Sequence, residues 1–424
     1  MHNFFSSLKV ESEHKKPMPR KRKILVFSSS VLFAVALAII ALRPGMATGG
    51  GAFSSLGLAS SAEEEKVERF TPDMSVPEPI LGPGGKYIQI VNGNKYTFTL
   101  DPELQAEAEA VLAKHKVPYG AIVAIEPATG RVLAFAEHSQ RDKTITGLAQ
   151  RATYPAASLI KVVTAAAALE TGKVCADTVF TYEGSPYVLT KRKILPENRK
   201  RERNVTTLGQ ALGKSNNIVF GKLGVYCIGP EKMQQTTTDF GFNREIPFDF
   251  PLQPSSSVVP VETFDLAQTT AGFIGTKISP VHAALIAAAI SNNGVMMRPW
   301  MIESVTDATG KVIYEGTSET LLTACEPKIA EELTGIMRNT VTEGTSSKIF
   351  KRHAKKLFEN VAVSGKTGSL TGDDPPGKYE WFIGFAPEKN PQIAVAGMVV
   401  NQGNRGQIHG AYAAMTVFKK HFGM

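Results

Sequence analysis

Apolar and polar positions fall into blocks whose period changes along the chain. Ile24 to Leu42 is an uncharged run, mostly Ala, Val, Leu, Ile and Phe, long enough to span a bilayer core as a helix. Gly49-Gly50-Gly51 opens a stretch to Gly85 rich in Gly, Ser, Pro and acidic residues, which reads as a flexible linker. Lys86 to Leu100 predicts a short strand pair turning at Asn92-Gly93. Asp101 is a candidate N-cap, and Leu104, Ala108, Val111 and Leu112 then share one helical face, predicting a helix over 101–116. Tyr119 to Glu126 and Val132 to Glu137 predict a hairpin through Pro127-Ala128-Thr129-Gly130.

The middle of the chain is helical in pattern. Val162 to Glu170 predicts a helix ending near Gly172, a suitable C-cap. Further helices are predicted over 207–226, 278–291 and 328–341, with the Pro-rich stretch 248–260 as loop. Then the period returns to that of strands: 361–369, 381–386 and 393–400, followed by a closing helix over 412–422. Two early and three late strands predict one five-stranded antiparallel sheet. Terminal helices flank it, and a mostly helical subdomain packs on one side, an α+β arrangement. No internal repeat is apparent.

Charge changes this picture only at the N-terminus. The formal net charge is +8, but residues 1–23 hold seven lysines and arginines against two glutamates, so +5 sits in that tail. The remainder is nearly balanced and makes no case for nucleic-acid binding by the body of the protein. A basic cluster before an apolar span predicts a cytoplasmic N-terminus, with everything after Arg43 on the outer side of the membrane. A cleaved signal peptide is the rival reading, with Gly45-Met46-Ala47 as small residues for cleavage. The apolar run exceeds the usual signal core of about 7–15 residues, which favours an uncleaved anchor. The expected organisation is a basic tail (1–23), an anchor (24–42), a linker (43–85) and one catalytic domain (86–424). The basic stretch 191–203 reads as a solvated loop, or as a surface for anionic glycan or lipid. Cys175, Cys227 and Cys325 are an odd set: Cys175 and Cys227 pair, or all are unpaired. No Cys/His cluster suggests a metal, and no organic cofactor is implied.

Three short motifs carry chemistry. In Ser158-Leu159-Ile160-Lys161, serine and lysine are spaced i to i+3, which on a helix puts them on one face, roughly 5–6 Å apart at Cβ. The amine can then take the hydroxyl proton, and unpaired N–H groups at a helix start favour negative charge there. In Ser215-Asn216-Asn217, a hydroxyl and a carboxamide can bond a lysine amine and a substrate amide together. In Lys366-Thr367-Gly368-Ser369, on a predicted strand, a cation and hydroxyl suit a carboxylate, and glycine permits close approach. Each motif alone is equally readable as ordinary helix, turn or strand polarity.

In this order, S-x-x-K, S-x-N and K-T-G, the set resembles the penicillin-binding proteins and serine β-lactamases. The resemblance runs from about residue 95 to the end. It includes Thr99 to Gln105, Ala124 to Ala134, Ser279 to Ala284, Asn293 to Pro299 and Trp381 to Pro387. It implies a DD-peptidase/β-lactamase-like fold and an acyl-transfer mechanism on peptidoglycan stem peptides, with β-lactams as inhibitors. By the same resemblance Ser158 is the nucleophile, Lys161 its base, Ser215 a proton relay and Asn217 a holder of Lys161 and substrate. Lys366, with Thr367, Gly368 and Ser369, serves the carboxylate and the oxyanion. Asn217 and the anchor favour the penicillin-binding branch over a β-lactamase or β-lactam sensor. The span between Arg43 and the domain is too short for a glycosyltransferase domain, so the resemblance implies a monofunctional transpeptidase with a separate glycosyltransferase partner in the membrane. A D-alanyl-D-alanine carboxypeptidase and a non-catalytic wall scaffold are the alternatives. Tyr379 and Trp381 read as core and rim packing, and 371–378 as a loop bordering the groove.

Overall fold

The structure, a computed structural model, describes residues 80–194, 200–403 and 408–424. The predicted basic tail, the apolar run 24–42 and nearly all of the linker lie outside these. No helix among the described residues is long and apolar enough to cross a membrane.

The chain enters through a small sheet that contains the predicted hairpin, Tyr87–Val91 with Asn94–Phe98, joined later by Ile302–Thr306 and Val312–Glu315. Helix α1 (Pro102–Lys114) starts where Asp101 caps it, the carboxylate accepting from the N–H groups of Glu103 and Leu104. Strands β1 (Tyr119–Ile125) and β2 (Val132–Ser139) follow. The helical part contains α2 (Ile160–Glu170), α3 (Leu208–Gly213), α4 (Asn217–Leu223), α5 (Thr263–Ala271), α6 (Pro280–Ser291) and α7 (Pro327–Thr342). The chain then returns to the main sheet as β3 (Ser364–Asp373), β4 (Pro376–Ala386) and β5 (Ile393–Asn401), and closes with α8 (Gly410–His421).

The main sheet is five-stranded and antiparallel, in the order β3-β4-β5-β1-β2. Its pleat sorts the apolar residues into two cores. Ala121, Val123, Ile125, Trp381, Ile383 and Phe385 join the core that contains α2 and α6. Ile122, Ala124, Phe382, Val395 and Val399 face the other way, onto Leu104 and Leu112 of α1 and Met415 and Phe418 of α8. Sandwiching explains why β1 and β5 read as unbroken apolar runs rather than as alternating ones. It leaves β3 at an edge, beside the helical part.

Three expectations are corrected. The single helix over 207–226 is broken: α3 stops at Gly213, Ser215 adopts φ 56°, and Asn216 caps α4 by accepting from the N–H groups of Ile218 and Val219. Short polar side chains that tolerate left-handed backbone and compete for N–H groups make this break. The loop at 371–378 is instead the tip of a hairpin, with β3 and β4 paired from Ser364↔Phe385 to Asp373↔Pro376. The strand predicted from 361 begins at Ser364, because Lys355–Asn360 forms a short helix just before it. All three cysteines are free. Arg192, in the basic stretch, pairs with Glu183 on the exterior at 2.8 Å.

Candidate active site

Ser158 does not sit inside α2. It occupies the middle of a one-turn 3-10 helix, Ala157–Leu159, that leads into α2. Ala157 has φ 50°, a left-handed conformation unusual for alanine. The turn is tightly backed: a Cβ added at Gly272, the left-handed C-cap of α5, would stand 2.2 Å from the carbonyl oxygen of Ala157. On the other side Trp381 Nε1 donates to Pro155 O at 3.1 Å, fastening β4 to the segment that delivers the serine. Arg151, further back in that segment, pairs with Asp374 at the hairpin tip.

Lys161, in the first turn of α2, is wholly buried. Its Nζ lies 2.8 Å from Ser158 Oγ, 2.8 Å from Asn217 Oδ1 and 2.5 Å from the carbonyl oxygen of Ala271. The last two partners only accept, so the amine donates to both. An uncharged amine then has its lone pair left for the serine hydroxyl. Burial, reinforced by the nearby Lys366 charge, holds the Lys161 amine well below the usual lysine range. Geometry and electrostatics therefore agree on a neutral amine positioned to receive the Ser158 proton.

A second lysine completes the arrangement. Lys366 on β3 is also wholly buried, and its Nζ donates to Ser215 Oγ at 3.1 Å and to Thr367 O at 2.7 Å. Burial pushes it down to about 7. The register Lys366↔Ile383 turns this side chain toward the helical part, while Thr367, the next residue, turns the other way. At Gly368 a Cβ would come 3.2 Å from Leu159 Cγ and 3.3 Å from Ala156 O, so the edge strand runs close against the serine turn, where any larger residue would press on it. Above the two lysines opens a cleft of about 520 Å³, lined among others by Ser158, Ser215, Asn217, Thr367, Gly368 and Ser369. The structure thus brings the eight candidate residues together, six on the cleft wall and two lysines beneath it.

Residues 120–422 match the family model for the penicillin-binding protein transpeptidase domain. The chain belongs to this family. Among its relatives is the peptidoglycan D,D-transpeptidase PbpA of Mycobacterium tuberculosis, 31% identical over 320 residues, covering 68% of this chain and 62% of the relative. The chain thus spans less than two thirds of that relative's length. The D,D-transpeptidase domain of a peptidoglycan glycosyltransferase from Eggerthella lenta superposes with a TM-score of 0.64 at 28% identity, covering 78% of this chain and 83% of that one. The imipenem acyl-enzyme complex of penicillin-binding protein A from M. tuberculosis superposes with a TM-score of 0.62 at 25% identity, covering 77% and 79%.

Around this transpeptidase-family cleft stand residues that the motifs do not reveal. The Ala271 carbonyl is one, supplied by the end of α5. Tyr187 is another: its carbonyl accepts from Asn217 Nδ2 at 2.8 Å and so orients the carboxamide. Thr345 shares a 2.5 Å hydrogen bond with Thr367 through their hydroxyls. The small polar run Gly344-Thr345-Ser346-Ser347 is the sequence signal that could have found this segment. Glu380 and His409 line the far end of the cleft, hydrogen-bonded to each other. They come from strand and helix entry 29 positions apart, and nothing in the local sequence pairs them.

Proposed function

We propose that this protein is a serine D,D-transpeptidase that cross-links peptidoglycan stem peptides and is acylated by β-lactams. The observation that carries this reading is the Lys161 amine, buried and bonded to Ser158, Asn217 and the Ala271 carbonyl at once. Ser158 Oγ attacks the carbonyl carbon between the two terminal D-alanines and passes its proton to Lys161. Ser215, hydrogen-bonded to Lys366, returns a proton to the departing D-alanine amine. Backbone N–H groups of Ser158 and Ser369 serve the oxyanion, an interaction worth about 10²–10³ in rate. The hydroxyls of Thr367 and Ser369 and the open backbone at Gly368 receive the terminal carboxylate. Lys366 is enclosed, so it acts on that pocket through Ser215 and Thr367 rather than by touching substrate. The amine of a second stem peptide then attacks the acyl-enzyme. The C–N bond forms, the C–Oγ bond breaks, and Ser158 regains its proton.

The apolar run 24–42 anchors the chain in the cytoplasmic membrane, with 43–85 as a tether and 86–424 outside, where the wall is built. A separate glycosyltransferase in the same membrane supplies the strands. The test is acylation followed by turnover. The full chain should take up a fluorescent penicillin, and Ser158→Ala should not. With a lipid-linked muropeptide, mass spectrometry should find cross-linked dimers. Release of D-alanine without dimers would replace this reading by a carboxypeptidase, and no penicillin uptake would end it.

A further inference from the structure

The cleft has a charge problem. A substrate that ends in a carboxylate needs a cation at the cleft surface, and neither lysine of the motifs is at that surface. Lys366 is fully enclosed, committed to Ser215 and Thr367. Lys161 is equally enclosed and faces the serine. Among the described residues lining the cleft, His409 is the one side chain able to carry positive charge.

His409 is held for such a task. It stands at the entry of α8, and its Nδ1 is hydrogen-bonded to Glu380 Oε2, leaving Nε2 as the ring's other donor. The imidazole is 57% exposed, whereas the Glu380 side chain is 9% exposed. Glu380 is itself fixed, accepting from Lys378 Nζ at 2.6 Å and Asn401 Nδ2 at 2.8 Å. In the ladder Glu380 lies directly opposite Ser369, so the pair sits beside the hydroxyls assigned to the carboxylate. The charged groups facing His409 among the described residues are Glu380 and Lys378. Glu380 raises the imidazole above its ordinary value and outweighs burial and the Lys378 charge, which oppose it. A buried carboxylate behind an exposed imidazole favours the imidazolium, which is an anion donor.

We propose that His409, oriented by Glu380, is the cationic arm of the carboxylate pocket, donating from Nε2 to the substrate's terminal carboxylate alongside Thr367 and Ser369. This rests on the transpeptidase reading and sharpens it: the site selects ligands with a free carboxylate, and does so through a group that titrates. Selectivity is complete while the imidazole is protonated and is lost as pH rises through its raised pKa. Lys161 and Lys366 also titrate in this cleft, so the informative quantity is a ratio that cancels their effect.

The experiment measures Ser158 acylation of the purified full chain, by mass spectrometry, with a β-lactam and with its methyl ester across pH. The carboxylate-to-ester rate ratio should fall about tenfold in His409→Gln, the scale of one lost hydrogen bond to an ion. His409→Arg should retain most of the ratio, showing that charge rather than local collapse is at issue. Glu380→Gln should move the pH at which selectivity is lost downward. A His409→Gln ratio equal to wild type overturns the proposal. So does a parallel fall of both rates that deepens at high pH, where the imidazole is neutral, which would make His409 a proton acceptor instead. Failure of the wild-type chain to be acylated by either ligand defeats the transpeptidase reading itself, an outcome distinct from an unchanged ratio.

Discussion

At the scale of single residues, the site turns on two lysines placed where lysine is costly. Lys161 and Lys366 are both completely buried, and the hydrogen-bond partners of each are hydroxyls, carbonyls or a carboxamide rather than a carboxylate. An uncompensated buried ammonium neutralises instead of staying charged. For Lys366 the shift runs from 10.5 down to about 7. Between these values the unfolded chain holds a proton that the folded chain has released. Stability from this group is therefore fully present above the unfolded value and is lost as pH falls through the folded one. Replacing Lys366 by Met should flatten the rise of the thermal midpoint with pH between about 7 and 10, as read by calorimetry. It should abolish acylation at the same time. Lys161→Met removes the proposed proton acceptor, and penicillin acylation should fall by about 10²–10⁴ in stopped-flow measurement. A smaller loss would mean that another group takes the Ser158 proton.

At the scale of elements, three backbone devices hold the candidate catalytic groups in register. The left-handed Ala157 turns Ser158 out of the helix that supplies its lysine, the break at Ser215 splits α3 from α4, and glycine-lined contacts let α5 and β3 press on the serine turn. Gly272 is the most demanding of these contacts. Its φ of 88° and the 2.2 Å approach to the Ala157 oxygen leave no room for a methyl group. Gly272→Ala should cost about 1–2 kcal/mol in backbone strain alone, with the clash adding to it. The expected result is a lower thermal midpoint together with slower acylation, since the displaced atom belongs to the nucleophile turn. Unchanged kinetics in the destabilised variant would show that the turn adjusts independently of α5.

At the scale of the whole molecule, the two-faced sheet explains why the site is where it is. The sheet is covered on both faces and has two edge strands; one of them, β3, runs against the serine turn, and an edge is where backbone groups remain open to a peptide. The N-terminal organisation belongs to this scale too. If residues 24–42 anchor the chain, full-length protein should remain with membranes through high-salt and alkaline washes. Replacing several of those apolar residues by Gln should release it. Wash-out of the unaltered chain would argue for a cleaved segment instead.

The amino-acid order by itself determined a great deal. Short apolar, strand-like runs at 119–137 and in the last sixty or so positions marked the sheet, the apolar face at 104–112 marked α1, and three spaced motifs singled out eight residues. These are local facts, legible because side-chain period and turn chemistry act over a few neighbours. Only the tertiary structure decided which groups meet. The Ala271 carbonyl on Lys161, the Tyr187 carbonyl on Asn217 and Thr345 on Thr367 are contacts across 110, 30 and 22 positions. Backbone carbonyls carry no sequence signature, and the Glu380–His409 pair exists only because β4 and the start of α8 close on one end of the cleft. Burial decided the rest: a lysine reads the same in any sequence, and only enclosure makes its amine a base.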